Sequence, residues 1–125
     1  LVLDIHHHWI RDEEYIEAKD DRVKRVIDSW RGQRPTLHYS YSRDEHLAVA
    51  GLGDKTHTQM HDIKDLLARG CKKQKLRAHS DLLPNRAVND WALSFSENFD
   101  IQTEAKGKNM AQEQLYRQAK ETAVI

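Results

Sequence analysis

Residues 1–9 read LVLDIHHHW. Three apolar residues run into an aspartate, three consecutive histidines follow, and a tryptophan closes the stretch. The run Leu1–Ile5 predicts a short strand buried on both faces. Asp4 and His6–His8 then fall at the C-terminal end of that strand. Neutral imidazole and carboxylate are lone-pair donors suited to zinc, manganese and iron. Strand alternation does not say which of His6, His7 and His8 faces inward, because the strand is ending there.

The same arrangement recurs along the chain. Asp12–Trp30 has a helical period, with Ile16, Val23, Val26, Ile27 and Trp30 at steps of three, four and seven. Asp20 or Asp21 can break and recap this helix, and Gly32 with Pro35 stops it. PTLHYS, Pro35–Ser40, predicts a second strand ending near His38. Gly51, Gly53 and Asp54 mark a long loop, a length that points to function in a compact domain. Met60, Ile63, Leu66 and Leu67 form another helical stripe, closed by Gly70. KLRAHSD, Lys75–Asp81, predicts a third strand ending at His79 and Asp81. Pro84 opens a helix with Val88, Trp91, Ala92 and Phe95 on its apolar face. FDIQTEA, Phe99–Ala105, predicts a fourth strand ending at Glu104. Asn109 with Gln112 resembles a capping box before a last helix.

Strand and helix thus alternate four times, which predicts α/β architecture with a parallel sheet and helices outside. Each strand carries ligand-type residues at its C-terminal end, where a (β/α)8 barrel builds its active site. Such a barrel needs roughly 250 residues, so 125 residues predict a single domain, 1–125, of four βα units: the C-terminal half of a (β/α)8 TIM barrel, beginning just before a strand. Strand ends converge in a barrel, so distant residues can share metal ions. By contrast, His46, His57 and His61 read as solvated residues in or beside the long loop. The basic run KKQK with Arg77 reads as a rim away from the chemistry. Lys106 and Lys108 follow Glu104 on the catalytic side, placed to meet phosphate.

Composition bounds the rest. Twenty Lys and Arg balance twenty Asp and Glu, so no global field draws in polyanions. The single Cys71 excludes an internal disulfide and fits a reducing compartment. No apolar run approaches the roughly 20 residues that span a bilayer, so no membrane association is expected.

LVLDIHHHW, PTLHYS, RAHSDLL and FDIQTEAKGKNMA together resemble the C-terminal half of the UV damage endonuclease family, which belongs with endonuclease IV and the xylose-isomerase-like barrels. The blocks D-x-x-H, HYS, HSD and EAK, in this order, carry the likeness across nearly the whole chain. The resemblance implies a metal-dependent DNA repair enzyme that nicks the backbone 5′ to UV photolesions, in the cytoplasm (the bacterial nucleoid) or the nucleus. It implies metal ligands at Asp4, His7, His38, His79 and Glu104, with Glu104 and Lys106 in catalysis. It implies a cluster of divalent ions, manganese first, with zinc or magnesium as alternatives. The expected partners are damaged double-stranded DNA and either the N-terminal half of the barrel or a second copy of the chain. By itself the half-barrel is expected to be inactive. Two departures stand out. Thr36 occupies a position where some relatives carry lysine, and the long loop after HYS matches no family block. A sugar isomerase or epimerase of the related barrel class, and a non-catalytic half-barrel interaction module, are the other readings. The pairing of EAK with HYS favours the nuclease.

Overall fold

A computed structural model describes residues 1–50, 60–104 and 108–123. The chain is mixed α/β, built on a three-stranded parallel sheet. Its elements are β1 (Leu3–Asp4), α1 (Ile5–Asp12), α2 (Asp21–Ser29), β2 (Thr36–Tyr39), α3 (Asp44–Leu47) with a 3-10 turn (Ala48–Ala50), α4 (Ile63–Ala68), α5 (Lys73–Leu76), α6 (Arg86–Leu93), β3 (Asp100–Thr103) and α7 (Lys108–Ala123). The strands lie in the order β1-β2-β3. Leu3 pairs with Leu37 and Asp4 with His38. Leu37 in turn pairs with Ile101, His38 with Gln102 and Tyr39 with Thr103.

Two expectations about strands are corrected. The histidines do not end a strand; they form the first turns of α1. The chain leaves the sheet at Asp4, whose side chain accepts the His7 backbone N–H at 2.9 Å. That is an N-cap, and it starts a helix where apolar continuity alone predicted more strand. The segment Lys75–Asp81 is not a strand either. Lys73–Leu76 is helical, and the rest is a turn tied to the segment after β2 by one antiparallel bridge, Ser42 to His79. LRAHSD has no β-branched or aromatic residue to favour a pleated surface, whereas TLHY and DIQT do. β3 therefore pairs directly with β2, and the described residues hold three βα units instead of four.

One face of the sheet carries Leu3, Leu37 and Tyr39, all buried. Behind it the Tyr39 hydroxyl donates to Asn89 Oδ1 of α6 at 2.7 Å. Asn89 itself donates to Leu83 O and Gln118 Oε1, so this buried polar chain is satisfied. The opposite face carries the row Asp4, His38 and Gln102, none of them buried. The expectation of a first strand buried on both faces therefore fails at Asp4.

The outer edge of β3 is met by a side chain of α7. On β3, the Gln112 side chain accepts from Thr103 N and donates to Ile101 O, both at 3.3 Å. Its amide stands where a further strand's peptide group would pair. Gln112 is thus turned to the sheet and lies inside α7, not in the expected capping box with Asn109. At the start of β3, Arg34 donates to the carbonyls of Ser96, Glu97 and Phe99 and to the Asp100 carboxylate. No helix among the described residues is long and apolar enough to cross a membrane.

Candidate metal centre

Period-two alternation and parallel register bring the first group of donors together. His38 is opposite Asp4 in the ladder, and Glu104 follows Gln102 by two residues on the same face. The Glu104 N–H donates to Tyr39 O at 2.8 Å, which extends the ladder past the end of β3. Asp4, His38 and Glu104 each offer a donor atom, and these atoms lie within 4.8 Å of one another. His38 Nδ1 is 3.1 Å from Glu104 Oε1, and both side chains are about one third exposed. Donors about 2.0–2.2 Å from one ion sit roughly 3 Å apart, so this pair suits a shared cation.

A second group gathers beside it. Donor atoms of His6, His7 and His79 also lie within 4.8 Å of one another. The His7 and His79 rings are 6.2 Å apart, and His6 and His79 6.3 Å. His79 is held by its bridge to Ser42 and by the Ser80 N–H, which donates to Tyr41 O at 2.8 Å.

Hydrogen bonding separates the three consecutive histidines. His6 is 3 % exposed. Ser42 Oγ donates to Leu76 O at 2.7 Å, so it must accept from His6 Nε2–H at 3.1 Å. Ser40 Oγ, at 2.9 Å, then donates to His6 Nδ1. Neither ring nitrogen of His6 has a lone pair left to offer. Burial first, then the neighbouring His7 and His79, pulls its pKa down to about 3, so the ring is neutral. His6 is a strut between α1 and the segment after β2. His8 points elsewhere, 3.0 Å from Asp12 and 2.9 Å from Glu14. His7 is exposed, and among the described residues its ring makes no hydrogen bond. It is the histidine of the three whose lone pair is available. The D-x-x-H spacing has a local cause as well, since an N-cap and the third helical residue share one end of the helix.

Of the five residues expected to bind metal, Asp4, His38 and Glu104 form one group, from strand ends, and His7 and His79 form another with His6, from α1 and the turn after α5. Lys106 lies outside the described residues, as does His57. His61 is not solvated as expected. It is buried, with Nε2 2.8 Å from the Tyr41 hydroxyl. Sequence reasoning also missed the role of His6. The available signal was Ser40-Tyr41-Ser42, two serine hydroxyls two residues apart just past the end of the β2 strand.

The basic run is also relocated. Leu76 O accepts from Ser42 Oγ, and Lys73 Nζ donates to Arg11 O at 3.4 Å. α5 therefore packs beside α1 at the ligand end of the sheet, not at the far rim. Arg77 and Arg11 line a cavity of about 420 Å³ together with Val2, Leu3, Asp4, His7 and His8.

Comparison of the chain with protein-family models, with curated proteins and with solved structures found no match.

Proposed function

We propose that the chain carries the C-terminal half of the active site of a metal-dependent DNA endonuclease that nicks 5′ to UV photolesions. The observation that carries the reading is the convergence of Asp4, His38 and Glu104 within 4.8 Å, with His7 and His79 alongside. Imidazole and carboxylate together form a donor set for manganese or zinc, and magnesium suits the carboxylates. Divalent ions held there would polarise a phosphodiester and supply hydroxide near neutral pH. Glu104 and Asp4, with two oxygens each, can serve more than one ion, whereas each histidine nitrogen serves one. Asp4 already accepts from His7 N, which orients one of its oxygens and leaves the other for the site. His6, neutral and doubly bonded, holds α1 so that His7 keeps its place.

A (β/α)8 barrel is the architecture that suits this sheet. Parallel sheets are ordinarily covered on both faces. Here one face packs on helices and the other presents a polar row, as the inner wall of an open barrel would. The remaining ligands and the surface that probes damaged DNA would then come from the barrel's first half, so the chain by itself is expected to hold metal weakly and not to nick. An intracellular location, cytoplasmic or nuclear, follows from that role.

The test is nicking of UV-irradiated supercoiled plasmid by the completed barrel with manganese. Nicks mapped 5′ to photolesions, absent from unirradiated plasmid, support the reading. Aldose–ketose turnover without nicking would overturn it in favour of a sugar isomerase.

A further inference from the structure

We propose that Arg43 is the positioning residue for His79: its guanidinium clamps the turn after α5, so that the His79 ring stays opposite His7. The inference rests on the metal-centre reading for its purpose, but not for its geometry.

The turn after α5 is fastened by the three residues Tyr41, Ser42 and Arg43, just past β2. Tyr41 O accepts from Ser80 N at 2.8 Å, and Ser42 Oγ donates to Leu76 O at 2.7 Å. Ser42 and His79 face each other in the antiparallel bridge. The bond beside them runs between Ser80 N and Tyr41 O, which leaves the His79 carbonyl to Arg43. Nη1 of Arg43 donates to that carbonyl at 3.3 Å and lies 3.7 Å from Asp81 Oδ1. Glu45 of α3 steers the guanidinium from another side, with Oε1 2.5 Å from Nε. Arg43 thus holds the residue that carries the ring and the residue two places beyond it.

The ring has need of such a hold. The His7 and His79 rings lie 6.2 Å apart with their planes at 58°. Among the described residues neither ring forms a hydrogen bond. A metal-ligating histidine ordinarily takes its direction from a bond on its other ring nitrogen. Here the backbone must set that direction instead. For His7 it is fixed by the Asp4 cap at 2.9 Å. His79 lies in a turn, outside helix and strand, and its own carbonyl is fixed by Arg43.

Arginine suits this task. Its planar fork presents donors in fixed directions, so one group holds a carbonyl and two carboxylates at once, and its charge strengthens the bond to the carbonyl. Glu45 and Asp81 flank it, so that charge is already balanced. The side chain is 26 % exposed and borders a recess of about 250 Å³ shared with Glu45, Ser80 and Asp81. Shortening it there widens a recess and leaves the apolar core as it is.

The experiment compares the 125-residue chain with Arg43→Met and Arg43→Lys by NMR, first without metal and then with zinc. Zinc is diamagnetic and binds such donors more tightly than manganese. Without metal, the backbone order parameter at His79 is expected to fall from about 0.85 to below about 0.6 in Arg43→Met, while that at His38 holds. In a zinc titration followed by the ring nitrogen shifts, the affinity read at His7 and His79 should drop about tenfold in Arg43→Met, with that read at His38 unchanged. Arg43→Lys keeps a charge near Asp81 but not the fork, and should recover only part of both effects. Arg117→Met on α7 should change neither. An unchanged order parameter at His79 in Arg43→Met overturns the proposal. So does an equal loss of zinc affinity at His7, His38 and His79, which is what a general loosening of the fold produces. If Arg43→Met does not fold, Arg43→Lys decides, and parental rigidity at His79 with parental zinc affinity overturns the clamp. A loss of order at His79 in a chain whose histidines never respond to zinc would keep the clamp and remove the metal centre. A zinc response at His7 and His79 that Arg43→Met leaves unaltered would do the reverse.

Discussion

The two groups of donors at the edge of the sheet are built by different means. Asp4, His38 and Glu104 are placed by the ladder, since register and alternation set all three on one face. His7 and His79 are placed by a helix cap and a turn, and both depend on the Ser40–His6–Ser42 strut. A strand-end ligand therefore tolerates changes around it as long as the sheet stands. A ligand on a cap or a turn depends on buried polar bonds that are costly to leave unmade. The comparison separates residues that serve the metal from residues that serve the fold, even where they are adjacent and identical.

The largest expected effect falls on the strand-built group. Glu104→Gln should lower metal affinity and nicking by more than about a hundredfold. Its side chain is about one third exposed, so stability should stay within about 0.5 kcal/mol. Metal analysis and a denaturant melt check both halves of that statement.

The neighbouring histidines give the next contrast. His6→Ala removes a buried ring and leaves two serine hydroxyls without their partner. It should cost about 2–4 kcal/mol in urea unfolding. His7→Ala, at an exposed ring, should cost less than about 0.5 kcal/mol and yet lose metal. The opposite pattern would exchange the roles of the two residues.

Acid should act through the same strut. The folded pKa of His6 is pulled down to about 3 from 6.5, so the unfolded chain takes up that proton first. The contribution of His6 is complete above pH 6.5 and is lost as pH falls toward 3. Metal-free protein should lose about 1.4 kcal/mol per pH unit in that window. Melts of the wild type and of His6→Asn, compared at each pH, isolate this slope, which the variant should lack.

The smallest effect concerns the far edge of the sheet. Gln112→Ala removes the amide that pairs with Thr103 N and Ile101 O. It should cost about 1 kcal/mol and raise self-association in sedimentation, because an unpaired edge recruits strands. A variant that remains as monomeric as the parent would mean that the amide does not guard this edge.

Much of the sheet was legible in the sequence. TLHY and DIQT alternate around β-branched and aromatic residues, and both form strands within a residue or two of the expected bounds. Lys75–Asp81 carries the same His-Asp ending, but its residues favour helix and turn, and it lies outside the sheet. His79 still reaches the ligand end, where its bridge to Ser42, the Ser80 N–H to Tyr41 O and the Arg43 guanidinium to His79 O hold it. The LVLDIHHHW stretch was misread for a related reason. Apolar periodicity registers burial but not the capping bond at Asp4, which turns the chain from strand to helix. The letters of LVLDIHHHW do not by themselves separate His6, His7 and His8. Their difference lies in Ser40, Ser42, Asp12 and Glu14, which only the folded chain brings to them.

The central claim is that the donors on the polar face of the sheet form a metal centre. Anomalous diffraction from manganese-soaked crystals tests it most directly. A manganese peak is expected within coordinating distance, about 2.0–2.2 Å, of His38 and a Glu104 oxygen, with Asp4 in reach. A map at saturating manganese with no peak there, and with the 3.1 Å contact between His38 Nδ1 and Glu104 Oε1 intact, would contradict it.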